Sequence, residues 1–134
     1  MNQQALKVPT PPNDTPTVLV VEDEILVRNA AAQYLRGCGF FVVEAVNADE
    51  ALAMLHAVAE VDVVFSDVKL PGPRNGADLA QIIQKDFPHV KVLLTSGVTP
   101  LPELEGIRLL RKPYFLFEVE RQIRRLLTPI SQRL

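Results

Sequence analysis

The chain is poor in cysteine and histidine and has no long apolar run, and each of these shortages excludes a class of protein. Cys38 is the only cysteine among 134 residues, so no intramolecular disulfide can form, and a reducing cytoplasm fits this composition. The two histidines, His56 and His89, belong to no metal-ligand spacing pattern. No apolar stretch approaches the roughly 20 residues that span a bilayer. A net charge of -2 gives no electrostatic reason to bind nucleic acid or an anionic membrane.

The composition is typical of one globular domain with short flanking tails. Hydrophobic residues make up 48% of the chain and charged residues 22%, which argues against disorder. Residues 1–16 contain four prolines and no continuous apolar core, so we predict a flexible tail that is neither a signal peptide nor an anchor. We therefore expect a single domain over 17–128 and a short C-terminal tail over 129–134.

Apolar runs of strand length alternate with helical patterns along this domain. The runs are rich in Val, Leu, Ile and Phe with little polar alternation, as expected for parallel strands buried on both faces. The predicted strands are 17–22, 41–45, 61–66, 90–95 and 107–111. The predicted helices are 25–37, 48–58, 76–86 and 115–128. This order indicates an α/β fold built on a five-stranded parallel sheet.

One segment interrupts the alternation. Between the fourth and fifth predicted strands, residues 97–106 include Gly97, Pro100, Pro102 and Gly106. Two prolines and two glycines leave room for one helical turn at most. We therefore predict that a fourth connecting helix is shortened or missing.

Polar side chains stand at the ends of four predicted strands. Glu22 and Asp23 follow the first strand, Asp67 the third, Thr95 ends the fourth, and Lys112 follows the fifth. The carboxyl ends of parallel strands share one edge of the sheet, so these groups should meet. Three converging carboxylates would raise one another's pKa values unless a cation and Lys112 balanced them. Mg²⁺ prefers such oxygen ligands, and the set suits magnesium-dependent phosphoryl transfer onto a carboxylate.

The chain resembles the receiver domains of two-component response regulators over about residues 17–128. Each motif that carries the resemblance is weak alone, but together, in order and at family-like spacing, they are specific. They are Val20-Val21-Glu22-Asp23-Glu24, Ser66-Asp67-Val68-Lys69-Leu70-Pro71-Gly72, Asn75-Gly76, Leu94-Thr95-Ser96-Gly97 and Lys112-Pro113. The resemblance implies a doubly wound, flavodoxin-like sheet with strand order 2-1-3-4-5.

The resemblance also implies a magnesium site. Asp23 and Asp67 would bind Mg²⁺ directly, Glu22 would belong to the same site, and the backbone carbonyl of Lys69 would be a further protein ligand. Mg²⁺ is thus the expected cofactor.

By the same resemblance, Asp67 would accept phosphate from a phosphohistidine on a histidine kinase or a histidine phosphotransfer protein. Thr95 would be the switch hydroxyl, favoured over Ser96 by its position in the motif, and Lys112 would contact the phosphoryl group. Pro113 would follow a Lys-Pro bond that is often cis in this family. Such a domain is a phosphoacceptor rather than an enzyme, although it can promote its own phosphorylation and dephosphorylation. The phosphorylated state would change contacts with a downstream protein that the sequence does not identify.

Two departures from the family pattern stand out. The position three residues before the lysine usually carries an aromatic side chain that swings inward, and here it is Leu109. The segment 97–106 replaces a full helix. Segments of this kind are similar to those of receivers attached to hybrid kinases and of some stand-alone receivers.

Two other functions are compatible with parts of the pattern. An adaptor of the same fold would work without phosphorylation. A magnesium-dependent phosphohydrolase with a carboxylate nucleophile usually needs a second Asp two residues later, and Lys69 in that place argues against it.

Some residues also have simpler interpretations. Glu22 and Asp23 could cap the first helix, and Lys112 could be an ordinary surface lysine. The basic residues of the last helix could form a solvated face or contact a partner; these are Arg121, Arg124 and Arg125.

Overall fold

The computed structural model describes residues 11–12, 14–58, 60–97 and 104–132. This part of the chain forms five strands, four α-helices and a short 3₁₀ helix at Ile130–Gln132. The strands are β1 (Thr17–Val21), β2 (Phe41–Ala45), β3 (Val63–Asp67), β4 (Lys91–Ser96) and β5 (Arg108–Arg111). The helices are α1 (Ile25–Gly37), α2 (Ala48–Ala57), α3 (Gly76–Asp86) and α4 (Leu116–Leu127).

All neighbouring strands are parallel, and their order is β2-β1-β3-β4-β5. This confirms the predicted doubly wound, flavodoxin-like sheet. The register pairs Asp67 with Thr95 and Ser96 with Arg111, so the carboxyl ends of β3, β4 and β5 are level. The predicted polar strand ends therefore lie along one edge.

The sheet is buried between two helical layers because successive strand residues point to opposite faces. In β1, Leu19 and Val21 pack with side chains of α2 and α3, whereas Val18 and Val20 pack with side chains of α1 and α4. Each helix gives its apolar stripe to one of these two cores. A residue on β1 or β3 is therefore fixed from both sides, which makes the strand ends a rigid platform.

Local signals set several helix ends. The Asn47 side chain accepts a hydrogen bond from the Glu50 N–H at 2.7 Å, as the sequence predicts for the start of α2. In α4 the Glu118 carboxylate accepts from the Phe115 N–H at 2.7 Å, so the helix begins one residue later than predicted. The strand β3 begins at Val63 rather than at residue 61, because the Asp62 side chain accepts from the Thr17 N–H at 2.8 Å beside the sheet.

The unusual segment between β4 and β5 is described only in part. Most of the predicted shortened or missing helix falls on residues 98–103, which lie outside the described residues. The described end of the segment is a turn at Glu105–Gly106, held by Gln84, whose Nε2 donates to the Glu105 carbonyl at 2.7 Å. Leu104 and Ile107 pack against the core on the α2 and α3 side.

In the described ranges, no helix has both the length and the apolar character that crossing a membrane requires.

Candidate functional site

The main chain at the carboxyl edge of the sheet is held by a series of backbone hydrogen bonds. The Glu22 N–H donates to the Ala45 carbonyl at 3.0 Å, and the Lys112 N–H donates to the Ser96 carbonyl at 3.0 Å. The Val68 N–H donates to the Thr95 carbonyl at 2.9 Å. Glu22, Val68 and Lys112 are thus each tied to a neighbouring strand at the point where their own strand ends.

Asp67 is the centre of the site. It is buried, and both of its carboxylate oxygens have donors. Lys112 Nζ lies 2.8 Å from Oδ2, and the Lys69 N–H donates to Oδ1 at 3.2 Å. Burial acts to lower the pKa of Lys112, but the hydrogen bond and charge of Asp67, with the charge of Glu22, outweigh it and leave that pKa raised. Lys112 therefore stays protonated and neutralises Asp67.

The acidic pair after β1 is divided between the interior and solvent. Glu22 is only 7% exposed, whereas Asp23 is exposed. The pKa of Glu22 is raised, first by burial and then by its hydrogen bond with Asp23 and the charge of Asp67, although the Glu24 N–H donates to it at 3.0 Å. The edge thus has an excess of negative charge that a bound cation would relieve.

The oxygen ligands of the site fit a hard divalent cation, although the described carboxylates do not already form a complete coordination sphere. Carboxylate and carbonyl oxygens are the ligands that Mg²⁺ prefers, and it usually keeps several waters. Across the described ranges, no three His, Cys, Asp or Glu side chains have metal-binding spacing. Burial raises the pKa of Glu22 first, and the charge of Asp67 adds to the rise. Glu22, Asp23 and Asp67 remain the predicted magnesium ligands.

Thr95 contributes a buried hydroxyl without a partner. The residue is 2% exposed, and its Oγ1 has no hydrogen-bond partner among the described residues. An unsatisfied buried polar group usually costs about 1–3 kcal/mol, so its presence calls for an explanation. Thr95, Asp67 and Glu22 line the same pocket, together with Val27 of α1. A ligand in this pocket that offers oxygen acceptors would satisfy the hydroxyl.

The structure adds Tyr114, which the sequence prediction missed. Tyr114 lines the same pocket and packs edge-on against Phe65, with ring centroids 6.1 Å apart. Burial raises the pKa of Tyr114; Lys112 acts to lower it, while the charges of Glu22 and Asp67 add to the rise. The only signal in the sequence was an aromatic residue two positions after Lys112. The Lys112–Pro113 peptide bond between them is cis, as the family resemblance implies.

Two further residues named in the sequence analysis, Lys69 and Leu109, differ in their contacts. The Lys69 side chain is exposed, and only its backbone N–H contacts Asp67. Leu109 is partly buried and packs against the core on the α2 and α3 side. An aliphatic side chain therefore occupies the position of the usual aromatic switch.

The loop after Asp67 depends on a close approach of α3. The Gly76 N–H donates to the Val68 carbonyl at 2.7 Å. A Cβ at Gly76 would overlap the Asp67 carbonyl oxygen and lie 2.8 Å from the Val68 Cα. Asn75 and Asp78 form a reciprocal cap at the start of the helix, with distances of 2.8 and 2.9 Å. Glycine at 76 therefore lets α3 begin directly against the backbone of Asp67.

Comparison with known proteins identifies the class. The family model of the response regulator receiver domain matches residues 18–105, and the chain belongs to this family. Receiver domains pair with histidine kinases in two-component systems, and they are generally phosphoacceptors rather than enzymes in the usual sense. The family is generally dependent on Mg²⁺.

Among curated relatives, the chain is similar to the sensor kinase CckA of Brucella abortus, with 33% identity over 118 residues. That match covers 83% of this chain and 12% of the relative. The autoinducer 1 sensor kinase/phosphatase LuxN of Vibrio harveyi is 33% identical over 95 residues, covering 71% of this chain and 11% of the relative. The chain thus spans only a small part of the kinases that it resembles.

Solved structures of receivers have the same fold. A response regulator receiver domain protein from Clostridium thermocellum superposes with a TM-score of 0.77 at 27% identity, covering 84% of this chain and 94% of that one. The receiver domain of the hybrid histidine kinase CckA superposes with a TM-score of 0.71 at 29% identity, covering 84% and 99%.

Proposed function

We propose that this domain is the phosphoacceptor of a two-component phosphorelay and that Asp67 is its only phosphorylation site. The observation that carries the proposal is the environment of the Asp67 carboxylate. Lys112 Nζ lies at 2.8 Å from one oxygen and the Lys69 N–H at 3.2 Å from the other. The Thr95 hydroxyl, which has no partner among the described residues, lines the same pocket. In this arrangement, a nucleophilic carboxylate lies beside hydrogen-bond donors and a positive charge that can stabilise negative charge on a transferring group.

The reaction transfers a phosphoryl group from a phosphohistidine donor. An Asp67 oxygen forms a bond to phosphorus, the P–N bond breaks, and its electron pair returns to the imidazole of the donor. Lys112 stabilises the charge of the transferring phosphoryl oxygens, and the Thr95 hydroxyl donates to one of them in the product. The Thr95 hydroxyl thereby gains the partner that it lacks among the described residues.

Mg²⁺ is the cofactor that this proposal requires. Asp23 and Asp67 would bind it directly, Glu22 would contribute mainly through water, and the Lys69 carbonyl would complete the protein ligands. Such an ion would supply positive charge beside the carboxylates and the phosphoryl oxygens. The buried, electrostatically strained Glu22 supports this ligand set.

The partner is a histidine kinase or a histidine phosphotransfer protein, which must bring its phosphohistidine to the edge of the sheet. Apolar side chains are exposed close to the site in sequence: Leu26, at 80%, follows the acidic pair, and Phe115, at 70%, follows Lys112. Large exposed apolar side chains that form a contiguous patch mark protein docking surfaces, so we propose that Leu26 and Phe115 contribute to one. The phosphorylated domain then alters its contacts with a downstream protein.

Incubation with acetyl phosphate and Mg²⁺, followed by intact-protein mass spectrometry, tests the proposal. The wild-type protein should gain one phosphoryl adduct that is labile to both acid and base, as expected of an acyl phosphate, and Asp67→Asn should gain none. Asp86→Asn is the matched control, because Asp86 is an exposed acid at the end of α3. Undiminished labelling of Asp67→Asn would reject the assignment. An unlabelled wild-type protein would favour an adaptor, and rapid catalytic release of phosphate would favour a phosphohydrolase.

A further inference from the structure

Arg28 is a charged residue of α1 that is largely withdrawn from solvent. Its side chain is only 15% exposed, and burying a guanidinium is unfavourable unless its donors are satisfied. Arg28 Nη1 donates to the backbone carbonyl of Glu22 at 2.9 Å, and Nε donates to Glu44 Oε1 at 3.2 Å. The side chain therefore connects the acidic turn after β1 to strand β2.

The main chain of Glu22 is thus held by β2 on both sides of the residue. On the N–H side, Glu22 donates directly to the Ala45 carbonyl at 3.0 Å. On the carbonyl side, Arg28 joins it to Glu44, which adjoins Ala45 on the same strand. Two fixed points around one residue define where the next peptide, that of Asp23, begins.

The turn needs such a restraint. Glu22, Asp23 and Glu24 are consecutive acids, and like charges at this spacing repel one another. The helix α1 starts after Glu24, whose side chain forms no capping hydrogen bond within the described part of the chain. The Glu22 carboxylate accepts from the Glu24 N–H at 3.0 Å, and Arg28, one turn into the helix, adds a second restraint through the Glu22 carbonyl.

We infer that Arg28 is a positioning residue for the magnesium site: with Glu44, it holds the main chain of Glu22 so that the Glu22 and Asp23 carboxylates are prearranged for the ion. Arg28 acts through the Glu22 carbonyl and does not itself bind the metal. The inference rests on the proposed function, because it concerns the ion that the phosphoacceptor reaction requires. Residues that orient metal ligands typically change metal affinity about 10- to 100-fold when removed.

The chain contains a matched control for this idea. Arg36 also binds Glu44, with Nη2 at 3.1 Å from Oε2, and also donates to a backbone carbonyl, that of Val42, at 3.0 Å. Arg36 thus makes the same two types of contact as Arg28, one to Glu44 and one to a backbone carbonyl. Its carbonyl partner, however, lies on β2, away from the acidic turn. Its side chain is 47% exposed. If an arginine bound to Glu44 only stabilised the fold, replacing Arg28 and replacing Arg36 should change Mg²⁺ affinity by similar amounts.

The experiment measures Mg²⁺ affinity by titration calorimetry on the full unphosphorylated chain, with urea unfolding in chelator as a parallel readout of stability. Arg28→Met should weaken Mg²⁺ binding about 10-fold or more, and Arg28→Lys should recover part of the loss. Arg36→Met should leave Mg²⁺ affinity unchanged. Glu44→Gln should weaken Mg²⁺ binding less than Arg28→Met does. If Arg28→Met does not fold, Glu44→Gln and Arg28→Lys provide the test instead.

Phosphorylation by acetyl phosphate separates positioning from chemistry. At saturating Mg²⁺, Arg28→Met should regain the wild-type rate, because Asp67 and Lys112 are untouched. Equal loss of Mg²⁺ affinity in Arg28→Met and Arg36→Met, or a change in stability alone, overturns the inference while leaving the proposed function intact. Failure of the wild-type protein to bind Mg²⁺ overturns both.

Discussion

The close approach of α3 to the backbone of Asp67 makes Gly76→Ala a demanding test of this structure. The added methyl group would overlap the Asp67 carbonyl oxygen and lie 2.8 Å from the Val68 Cα. Both atoms belong to backbone, so neither can rotate away as a flexible side chain would. The helix must move instead, and the hydrogen bond from the Gly76 N–H to the Val68 carbonyl, at 2.7 Å, must lengthen.

The expected magnitude follows from two opposing effects. Alanine in place of a helical glycine normally stabilises a protein by roughly 0.5–1 kcal/mol. Overpacking that forces a backbone shift costs about 1–3 kcal/mol, and a weakened buried hydrogen bond adds about 1 kcal/mol. The steric effect dominates, so Gly76→Ala should lower the free energy of unfolding by about 1–3.5 kcal/mol.

Urea unfolding followed by circular dichroism measures this change, and Gly37→Ala is the control. A Cβ at Gly37, the last residue of α1, would meet no heavy atom within 4 Å. That variant should be neutral or more stable by up to about 1 kcal/mol. If Gly76→Ala proves as stable as Gly37→Ala, then α3 does not begin against Asp67 as described, and the account of the loop is wrong.

Three further predictions concern the charges of the site. Lys112→Ala should keep Mg²⁺ affinity but slow labelling by acetyl phosphate roughly 100-fold; loss of Mg²⁺ binding with normal labelling would contradict the role of Lys112. Asp23→Ala should weaken Mg²⁺ binding in calorimetry more than Glu22→Ala, and the reverse order would reject direct binding by Asp23. The pKa of Glu22 is raised in the folded state, so its charged form destabilises the metal-free protein at neutral pH. This destabilisation disappears as the pH falls below the pKa of Glu in the unfolded chain, which is about 4. Glu22→Gln should therefore be more stable than wild type in urea at pH 7 without Mg²⁺, with a difference that vanishes toward pH 4; equal stability at pH 7 would exclude this electrostatic strain.

The fold was predictable because each strand is short, apolar and bounded by polar or turn residues. Strands buried on both faces lose the period-2 pattern, so runs such as Val63–Phe65 are recognisable without any tertiary information. The positions of Asp67, Thr95 and Lys112 at one edge then follow from the parallel order of the strands. Boundaries shifted by one or two residues where side chains such as Asp62 compete for backbone groups.

Other features of the site depend on tertiary contacts that have no local signature. Arg28 reaches Glu44 across 16 positions in sequence, and nothing in its neighbourhood distinguishes it from Arg36. Tyr114 enters the pocket only because the chain turns back after Lys112. The sequence places Glu22 and Asp23 side by side with no local signal for their burial, whereas packing buries Glu22 and leaves Asp23 exposed.

The position of Thr95 inside the sheet determines which motion can answer a ligand at the site. Its main chain pairs with Asp67 on one side and Leu110 on the other, and its carbonyl accepts from Val68 at 2.9 Å. A ligand at the site can therefore reorient the hydroxyl about a single side-chain bond without displacing the strand. Side-chain rotations are much faster than the microsecond-to-millisecond rearrangement of segments. The residence time of the group on Asp67, rather than any motion of the sheet, would then set the duration of the signal.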